Sequence, residues 1–225
     1  MSRTVPGPFL STTSRDIPLV PGRAALLFID VQNFACHPDG AEWREMPAAE
    51  RAWKQPALLG PLHAEVLPRM QALQAAARGA GVEVMYTTIE SLTRDGRDRS
   101  LDYKITGFNV PKGSWDAKVL DAIAPGDDEI VLPKTSSSVF VSTNIDYVLR
   151  NLGVQQLVVA GVLTDQCVES AIRDACDLGY LVTQVTDACL TYTPERQAAS
   201  IAAIRGYCRQ VTTAALIDEL AAARE

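Results

Sequence analysis

Short apolar stretches rich in β-branched residues alternate along the chain with longer stretches in which apolar residues recur every three or four positions. The first kind predicts strands and the second predicts helices. Six strands are predicted, at residues 24–29, 82–88, 129–132, 156–160, 181–185 and 209–213. Several of them are almost continuously apolar, which is typical of parallel strands that are covered on both faces.

Six helices are predicted between and after these strands, at residues 62–78, 114–123, 144–152, 165–178, 194–207 and 214–223. The alternation favours an α/β fold with a doubly wound parallel sheet. We expect an N-terminal arm at 1–22 and a single domain at 23–225. Two long stretches, 36–60 and 90–113, are predicted to be irregular, and loops of that length usually serve as functional covers or assembly surfaces.

Composition and charge exclude several classes of function. The 225 residues carry a formal net charge of −6 and form no basic stripe, so we expect no nucleic-acid or membrane partner. The longest apolar runs fall short of the about 18 residues of a membrane span, and the N-terminus lacks the layout of a signal peptide. The five scattered cysteines include no CxxC pair, which favours reduced thiols and a cytoplasmic location.

Three chemically useful side chains follow apolar strands. Asp30 ends the run AALLFI, Lys134 follows EIVLP, and Cys167 lies six residues after Gly161, in the first turn of a predicted helix. Ligands of open parallel sheets bind beyond the carboxyl ends of the strands. The pattern therefore places these three side chains at one edge of the sheet.

These residue types suit nucleophilic catalysis. A carboxylate can take the proton of a thiol, and a lysine can stabilise the carboxylate and developing negative charge. A helix N-terminus or a nearby cation would lower the pKa of the thiol. Each residue also has an ordinary structural explanation, as a packed cysteine, a turn-forming aspartate or a solvated lysine. Their joint placement at strand ends favours the catalytic interpretation.

The segments DVQNF, LPK and GVLTDQCVES, in this order, resemble those of the isochorismatase-like cysteine hydrolases along residues 24–213. The resemblance implies a three-layer α/β/α domain with a mostly parallel, Rossmann-like sheet. It implies a triad of Asp30 as general base, Lys134 as its charged partner and Cys167 as nucleophile. It also implies a cis peptide between Val162 and Leu163, which would place the Leu163 N–H beside that of Cys167 in an oxyanion hole.

The same resemblance narrows the expected reaction. A nucleophilic cysteine indicates hydrolysis of a C–N bond through a thioester, and KGSWD and CVES are most similar to segments of ureidoacrylate and biuret hydrolases. The stretch YTTIESLTRDGRD lacks the histidine metal ligands of nicotinamidases, so we expect neither metal nor cofactor. The resemblance also suggests a homodimer or homotetramer.

We therefore expect a metal-independent amidohydrolase that releases ammonia or an amine from a ureidoacrylate-, biuret- or triuret-like substrate. The alternatives are hydrolysis of another small amide, such as an N-carbamoyl amino acid, maleamate or nicotinamide, or a non-catalytic binding module on the same fold. A thiol redox enzyme ranks lower, because no second cysteine lies close to Cys167 in the sequence.

Three residues are candidates for binding the substrate. Glu90, at the end of the second strand, would accept N–H donors, although a salt bridge to a neighbouring arginine explains it equally well. Phe34 would either line the substrate pocket or pack in the core. Tyr192 would likewise either line the pocket or pack in the core. Arg94, Arg97 and Arg99 would bind a substrate carboxylate or lie in a subunit interface. Cys36, on a predicted loop, is open to oxidation.

Overall fold

The strand β1 (Ala24–Ile29) is buried along its whole length, because parallel neighbours flank both its edges and helices cover both its faces. It lies at the centre of a computed structural model that describes residues 14–223 of the chain. The sheet has six parallel strands in the order β3-β2-β1-β4-β5-β6. The other strands are β2 (Glu83–Ile89), β3 (Ile130–Lys134), β4 (Gln156–Val162), β5 (Leu181–Leu190) and β6 (Arg209–Val211).

Alternate residues of β1 enter two separate cores, as expected for a strand whose side chains point to opposite faces. Leu26 and Phe28 pack on one side of the sheet, and Leu27 and Ile29 pack on the other. The α-helices are α1 (Asn33–Cys36), α2 (Ala41–Glu45), α3 (Ala48–Pro61), α4 (Leu67–Ala80), α5 (Leu101–Thr106), α6 (Val139–Ser142), α7 (Ile145–Asn151), α8 (Glu169–Asp177), α9 (Pro194–Ile204) and α10 (Thr213–Ala222).

The two cores make the fold a three-layer α/β/α sandwich. Helices α3, α4 and α10 contribute to the first core, and α6, α7 and α8 contribute to the second. The prediction of a six-stranded parallel sheet in an α/β/α fold is therefore confirmed. The strand order reverses direction between β1 and β4, and ligands of such sheets bind beyond the strand ends at this point.

The predicted helix at 114–123 is wrong. The structure has two short 3₁₀ turns there, Trp115–Ala117 and Asp121–Ile123. The residues between them are extended, because Lys118 O accepts from Asn33 N–H and Leu120 N–H donates to Val31 O, at 2.9 and 3.0 Å. Pairing with the chain that follows β1 satisfies these backbone groups and prevents a continuous helix.

The stretches predicted to be irregular contain helices as well. Residues 36–60 include α2 and α3, and α3 continues through a π-helical turn, Leu62–Val66, into α4. The prolines Pro56 and Pro61 lie inside α3, and they masked its helical pattern. Residues 90–113 include α5, whose N-terminus is capped by the Ser100 hydroxyl accepting from Tyr103 N–H.

Residues 1–13 of the predicted arm lie outside the described residues. In the described part, Leu19 N–H donates to Glu219 Oε1 and Val20 N–H donates to Gln156 Oε1, each at 2.7 Å. These bonds fix the chain before β1 against α10 and β4. None of the helices within residues 14–223 is long and apolar enough to cross a membrane.

Gly161, in β4, allows the ends of β1 and β4 to approach closely. Its φ is +140°, and a Cβ atom there would lie 2.3 Å from Ile29 O. We expect Gly161→Ala to lower the free energy of unfolding by about 2–3 kcal/mol or more, because backbone strain and a backbone clash add. Urea denaturation measures this. Gly22→Ala is the control, with open space around it and an expected change within about 0.5 kcal/mol. Equal stabilities of the two variants would contradict the close approach.

Candidate active site

Lys134, the last residue of β3, is completely buried and lies at the centre of a polar cluster. Its Nζ is 2.9 Å from Asp30 Oδ2 and 3.3 Å from Cys167 Sγ. Nζ also donates to Tyr103 Oη at 3.2 Å and to the carbonyl oxygen of Ser136 at 2.9 Å. The structure thus brings together the three side chains that the sequence placed at one edge of the sheet.

Asp30 is positioned by the backbone at the end of β1. Its φ of +57° is in the left-handed region, which aspartate tolerates better than most residues. Its N–H donates to Thr87 O at 3.1 Å, and its Oδ1 accepts from Thr87 Oγ1 at 2.8 Å. One carboxylate oxygen is thereby held by β2, and the other pairs with the ammonium group of Lys134.

Cys167 lies in a π-helical turn, Thr164–Val168, between β4 and α8. The peptide bond between Val162 and Leu163 is cis, as the resemblance implies. The Leu163 carbonyl accepts from Gln166 N–H at 3.1 Å and from Val168 N–H at 3.3 Å. The oxyanion role of the Leu163 and Cys167 N–H groups stays a prediction.

The expectation of a lowered thiol pKa is wrong. Burial raises the pKa of Cys167 to about 12; the positive charge of Lys134 opposes this, and the negative charge of Asp30 adds to it. Burial acts to lower the pKa of Lys134, but the negative charge of Asp30 outweighs it, so the pKa lies above the ordinary lysine value. The resting site at neutral pH therefore holds an Asp30–Lys134 ion pair next to a protonated thiol.

The turn that carries Cys167 is tied to the segment after β5. Asp165 Oδ1 accepts from Thr191 Oγ1 at 2.6 Å, and Asp165 Oδ2 accepts from Arg196 Nε at 2.6 Å. Arg196 also lies over the ring of Tyr192, with its Cζ 5.4 Å from the ring centroid. The turn that carries Cys167 and the segment that carries Tyr192 are therefore linked through Asp165 and Arg196.

Two cavities lie above the cluster. The inner cavity has a volume of about 40 Å³, and Asp30 and Cys167 are among its lining residues. The outer cavity, of about 510 Å³, is lined by residues of α2, α3 and α9 among others. Six residues line both cavities: Phe34, Glu42, Phe108, Leu163, Gln166 and Tyr192. The two cavities are thus continuous, and the reacting groups lie at the inner end.

The structure brings two of the three predicted binding residues to these cavities. Phe34 and Tyr192 line both of them. Glu90 lines neither; its Oε1 accepts from Gly113 N–H at 2.7 Å instead. The Glu90 side chain is thus held by the neighbouring loop, and its role in substrate binding stays a prediction.

The arginines of the charge-dense loop also lie away from both cavities. Arg97 forms an exposed ion pair with Asp95 at 3.0 Å, and Arg94 is exposed. Arg99 donates to the carbonyl oxygen of Phe108 at 2.6 Å. This bond supports the backbone of a residue that lines both cavities, and a subunit interface at the loop stays a prediction.

Cys36 is not in a loop, as the sequence suggested, but in α1, where it is completely buried. Its Sγ lies 3.7 Å from Asp30 O, and burial raises its pKa to about 12. A buried, protonated thiol resists oxidation. Within residues 14–223, no three histidine, cysteine, aspartate or glutamate residues are grouped so that they could hold a metal ion. A metal-free reaction stays a prediction.

Three residues that order the site were not predicted from the sequence. Thr87 fixes Asp30, and Tyr103 accepts a hydrogen bond from Lys134. Gln32 bridges two segments: its Nε2 donates to Ile89 O and Asp116 O, each at 2.9 Å. The position of Gln32 in DVQNF was a usable signal, whereas Tyr103 lay in a loop whose fold the pattern did not reveal.

The comparison with family models decides the classification. Residues 24–215 match the model of the Isochorismatase domain. The chain belongs to the isochorismatase family. This match spans the whole sheet and includes all three clustered side chains. The resemblance that the sequence motifs indicated is therefore confirmed, and the chain is an isochorismatase-family hydrolase.

Individual relatives agree with this classification. The ureidoacrylate amidohydrolase RutB of Rhizobium rhizogenes is 32% identical over 167 residues, which is 62% of this chain and 68% of that protein. RutB of Agrobacterium fabrum is 32% identical over 127 residues, 52% of this chain and 56% of that protein. A cysteine hydrolase from Pseudomonas syringae superimposes with a TM-score of 0.78 at 26% identity, covering 92% of this chain and 96% of the other.

Proposed function

We propose that this isochorismatase-family protein is a cysteine amidohydrolase that cleaves a C–N bond of a small linear ureido or carbamoyl amide. The main observation in support is the position of the Lys134 ammonium group, 2.9 Å from Asp30 Oδ2 and 3.3 Å from Cys167 Sγ. This cluster supplies a nucleophile, a base and a fixed positive charge within one small cavity.

In the first half of the reaction, Asp30 removes the thiol proton as Sγ attacks the amide carbonyl carbon. General-base assistance is required, because burial raises the pKa of Cys167 to about 12 and leaves little thiolate at neutral pH. The proton then passes from Asp30 to the leaving nitrogen. The C–N bond breaks, ammonia or an amine departs, and a thioester to Cys167 remains.

In the second half, water attacks the thioester carbonyl. Asp30 takes a proton from the water and returns a proton to the sulfur as the C–S bond breaks, so the free acid leaves and the thiol is restored. Lys134 keeps its charge throughout, because the charge of Asp30 holds its pKa above the ordinary value. Its role is to stabilise the carboxylate form of Asp30 and the thiolate form of Cys167.

The negative charge on the carbonyl oxygen needs donors in both halves. We assign this role to the backbone N–H groups of Leu163, which directly precedes the turn, and Cys167, which lies within it; both residues line the inner cavity. One donor of this type is typically worth about 2.7–4 kcal/mol to the transition state. Phe34 and Tyr192, which line both cavities, form apolar walls for a flat amide group.

The substrate class is supported by the relatives. Two of them are ureidoacrylate amidohydrolases, at 32% identity to this chain. Ureidoacrylate, biuret and triuret share a carbamoyl group attached to nitrogen, and this group is small enough for a narrow inner cavity. We infer that this shared carbamoyl group is the part that reaches Cys167.

A substrate panel tests the proposal. Purified protein is incubated with ureidoacrylate, biuret, triuret, an N-carbamoyl amino acid, maleamate and nicotinamide, and ammonia release is measured with and without EDTA. We expect turnover of at least one ureido compound at more than about 100-fold the rate for nicotinamide, unchanged by EDTA. Hydroxylamine should trap the carbamoyl group of the thioester as an N-hydroxyurea. Turnover of nicotinamide alone, or loss of activity in EDTA, would contradict the proposal.

A further inference from the structure

Glu42 is a charged residue of the cavities that the proposed reaction does not use. It lies in α2, lines both the inner and the outer cavity, and is half-buried. No hydrogen bond or ion pair joins its carboxylate to another described residue. A carboxylate that lines a substrate cavity without a hydrogen-bond or ion-pair partner is free to meet the substrate.

Most of the charges of the other lining residues are already balanced; the exception is Glu45, which is exposed, lines only the outer cavity and forms no ion pair among the described residues. In the inner cavity, Asp30 is paired with the buried ammonium group of Lys134. In the outer cavity, Lys54 is paired with Glu50, and Arg196 with Asp165. Of the six described residues that line both cavities, Glu42 is the one with a carboxylate, so a group that passes from the outer cavity to Cys167 meets this unpaired charge.

The position of α2 is fixed by contacts of the residues next to Glu42. Ala41 N–H donates to Asp116 Oδ1 at 2.8 Å, and Arg44 Nη2 pairs with Asp116 Oδ2 at 3.0 Å. The indole N–H of Trp43 donates to Ala35 O at 3.1 Å, and this side chain is almost completely buried. Contacts on either side of Glu42 thus hold it at the cavities.

We infer that Glu42 is a specificity residue that accepts hydrogen bonds from N–H groups of the substrate and repels substrate carboxylates from the inner cavity. The inference rests on the proposed function and refines its substrate class. It favours uncharged amides that carry several N–H groups over amides that carry a carboxylate near the scissile carbonyl. An anionic amide would have to keep its carboxylate in the outer cavity, beyond Glu42.

The preference should depend on pH near neutrality. Burial raises the pKa of Glu42 to about 7; the charge of Lys54 lowers it, and those of Glu50 and Glu45 raise it further. Above pH 7 the ionised group repels anions, and below pH 7 the neutral group does so no longer. The charged or titratable groups that face the same cavities are Asp30, Glu45, Glu50, Lys54, Cys167, Tyr192 and Arg196.

Two alkylating reagents of nearly equal size test this without any turnover. Iodoacetamide carries an N–H donor and iodoacetate a carboxylate, and both alkylate the same sulfur. The rate constants for Cys167 are measured by mass spectrometry at pH 6.0 and 8.5. Ionisation of the thiol changes both rates equally and cancels in their ratio. We expect the ratio of iodoacetamide to iodoacetate to rise about tenfold between these pH values in the unaltered protein.

Glu42→Gln should remove most of this rise and lower the ratio at pH 8.5 by about tenfold. Asp127→Asn is the charge-matched control, because Asp127 lies in an exposed turn before β3, at the opposite end of the sheet. In this variant the ratio of the two alkylation rates should follow that of the unaltered protein. A merely structural role for Glu42 would change both rates together. An unchanged ratio in Glu42→Gln, or a flat ratio in the unaltered protein, would overturn the inference.

Because the reagents need no hydrolysis, this result is independent of the substrate panel. A matched substrate pair then tests the role of Glu42 during turnover. N-carbamoylglycinamide carries a carboxamide at the position where N-carbamoylglycine carries a carboxylate. In Glu42→Gln, kcat/KM for the anionic member should rise relative to the neutral one, mainly through KM. A panel without turnover would refute the proposed function, whereas turnover with an unchanged preference would refute only the role of Glu42.

Discussion

Replacing Cys167 with alanine is expected to lower kcat by at least about 10⁴-fold, because the thioester route loses its nucleophile and no other side chain of the cluster replaces it. Asp30 and Lys134 would still form their ion pair at 2.9 Å. The variant should therefore keep its fold, as seen by circular dichroism, while ammonia release and the N-hydroxyurea product both disappear.

Cys189→Ala is the matched control for this variant. Cys189 is also a buried cysteine, and burial raises its pKa to about 12 as well, but it lies in β5 and lines neither cavity. Its alanine variant should lose a similar amount of stability and keep kcat within about twofold. Full activity of Cys167→Ala, or equal loss in the two variants, would refute the proposed mechanism.

Replacing Lys134 with methionine should reduce both stability and activity. The Asp30 carboxylate would remain buried without its ion-pair partner, at a cost of about 3–5 kcal/mol in the free energy of unfolding. Because the pKa of Lys134 is raised in the folded state, the contribution of the pair is complete at pH 7 and declines only as the pH rises through that raised pKa. Urea denaturation at pH 7 measures the loss, and kcat should fall by about 10²-fold or more.

A second substitution separates the two effects. Adding Asp30→Asn to Lys134→Met leaves no buried charge in the pair, so stability should recover to within about 2 kcal/mol of the unaltered protein. Activity should not recover, since the general base is then missing as well. Lys104→Met, at an exposed position in α5, is the control and should change stability by less than about 0.5 kcal/mol. Recovery of activity in the double variant would refute the role of Asp30 as the base.

Much of the fold was predictable, because buried parallel strands leave a strong local signal. The run 24–29 was predicted with the bounds that β1 has in the structure. The prediction of a helix at residues 114–123 was wrong because their backbone pairs with the chain after β1. No local sequence pattern indicates such a long-range contact. The predicted end of β5, at residue 185, was too early for a related reason. A shift in its pairing with β4, between Val159 and Gly161, lets the strand continue to Leu190.

The clustering of Asp30, Lys134 and Cys167 was predictable, because all three follow strands of one parallel sheet and must share an edge. The ionisation of Cys167 was not, since it depends on how deeply the sulfur is buried. Glu42 was missed because the stretch 36–60 was taken to be irregular. Once that stretch folds as α2 and α3, it forms one wall of the outer cavity.

The bonds from Asp165 to Thr191 and Arg196 have a mechanical consequence. They join the turn that carries Cys167 to the segment that carries Tyr192, although the two segments are more than 20 residues apart in the chain. A ligand that displaces one of these segments therefore also strains its link to the other.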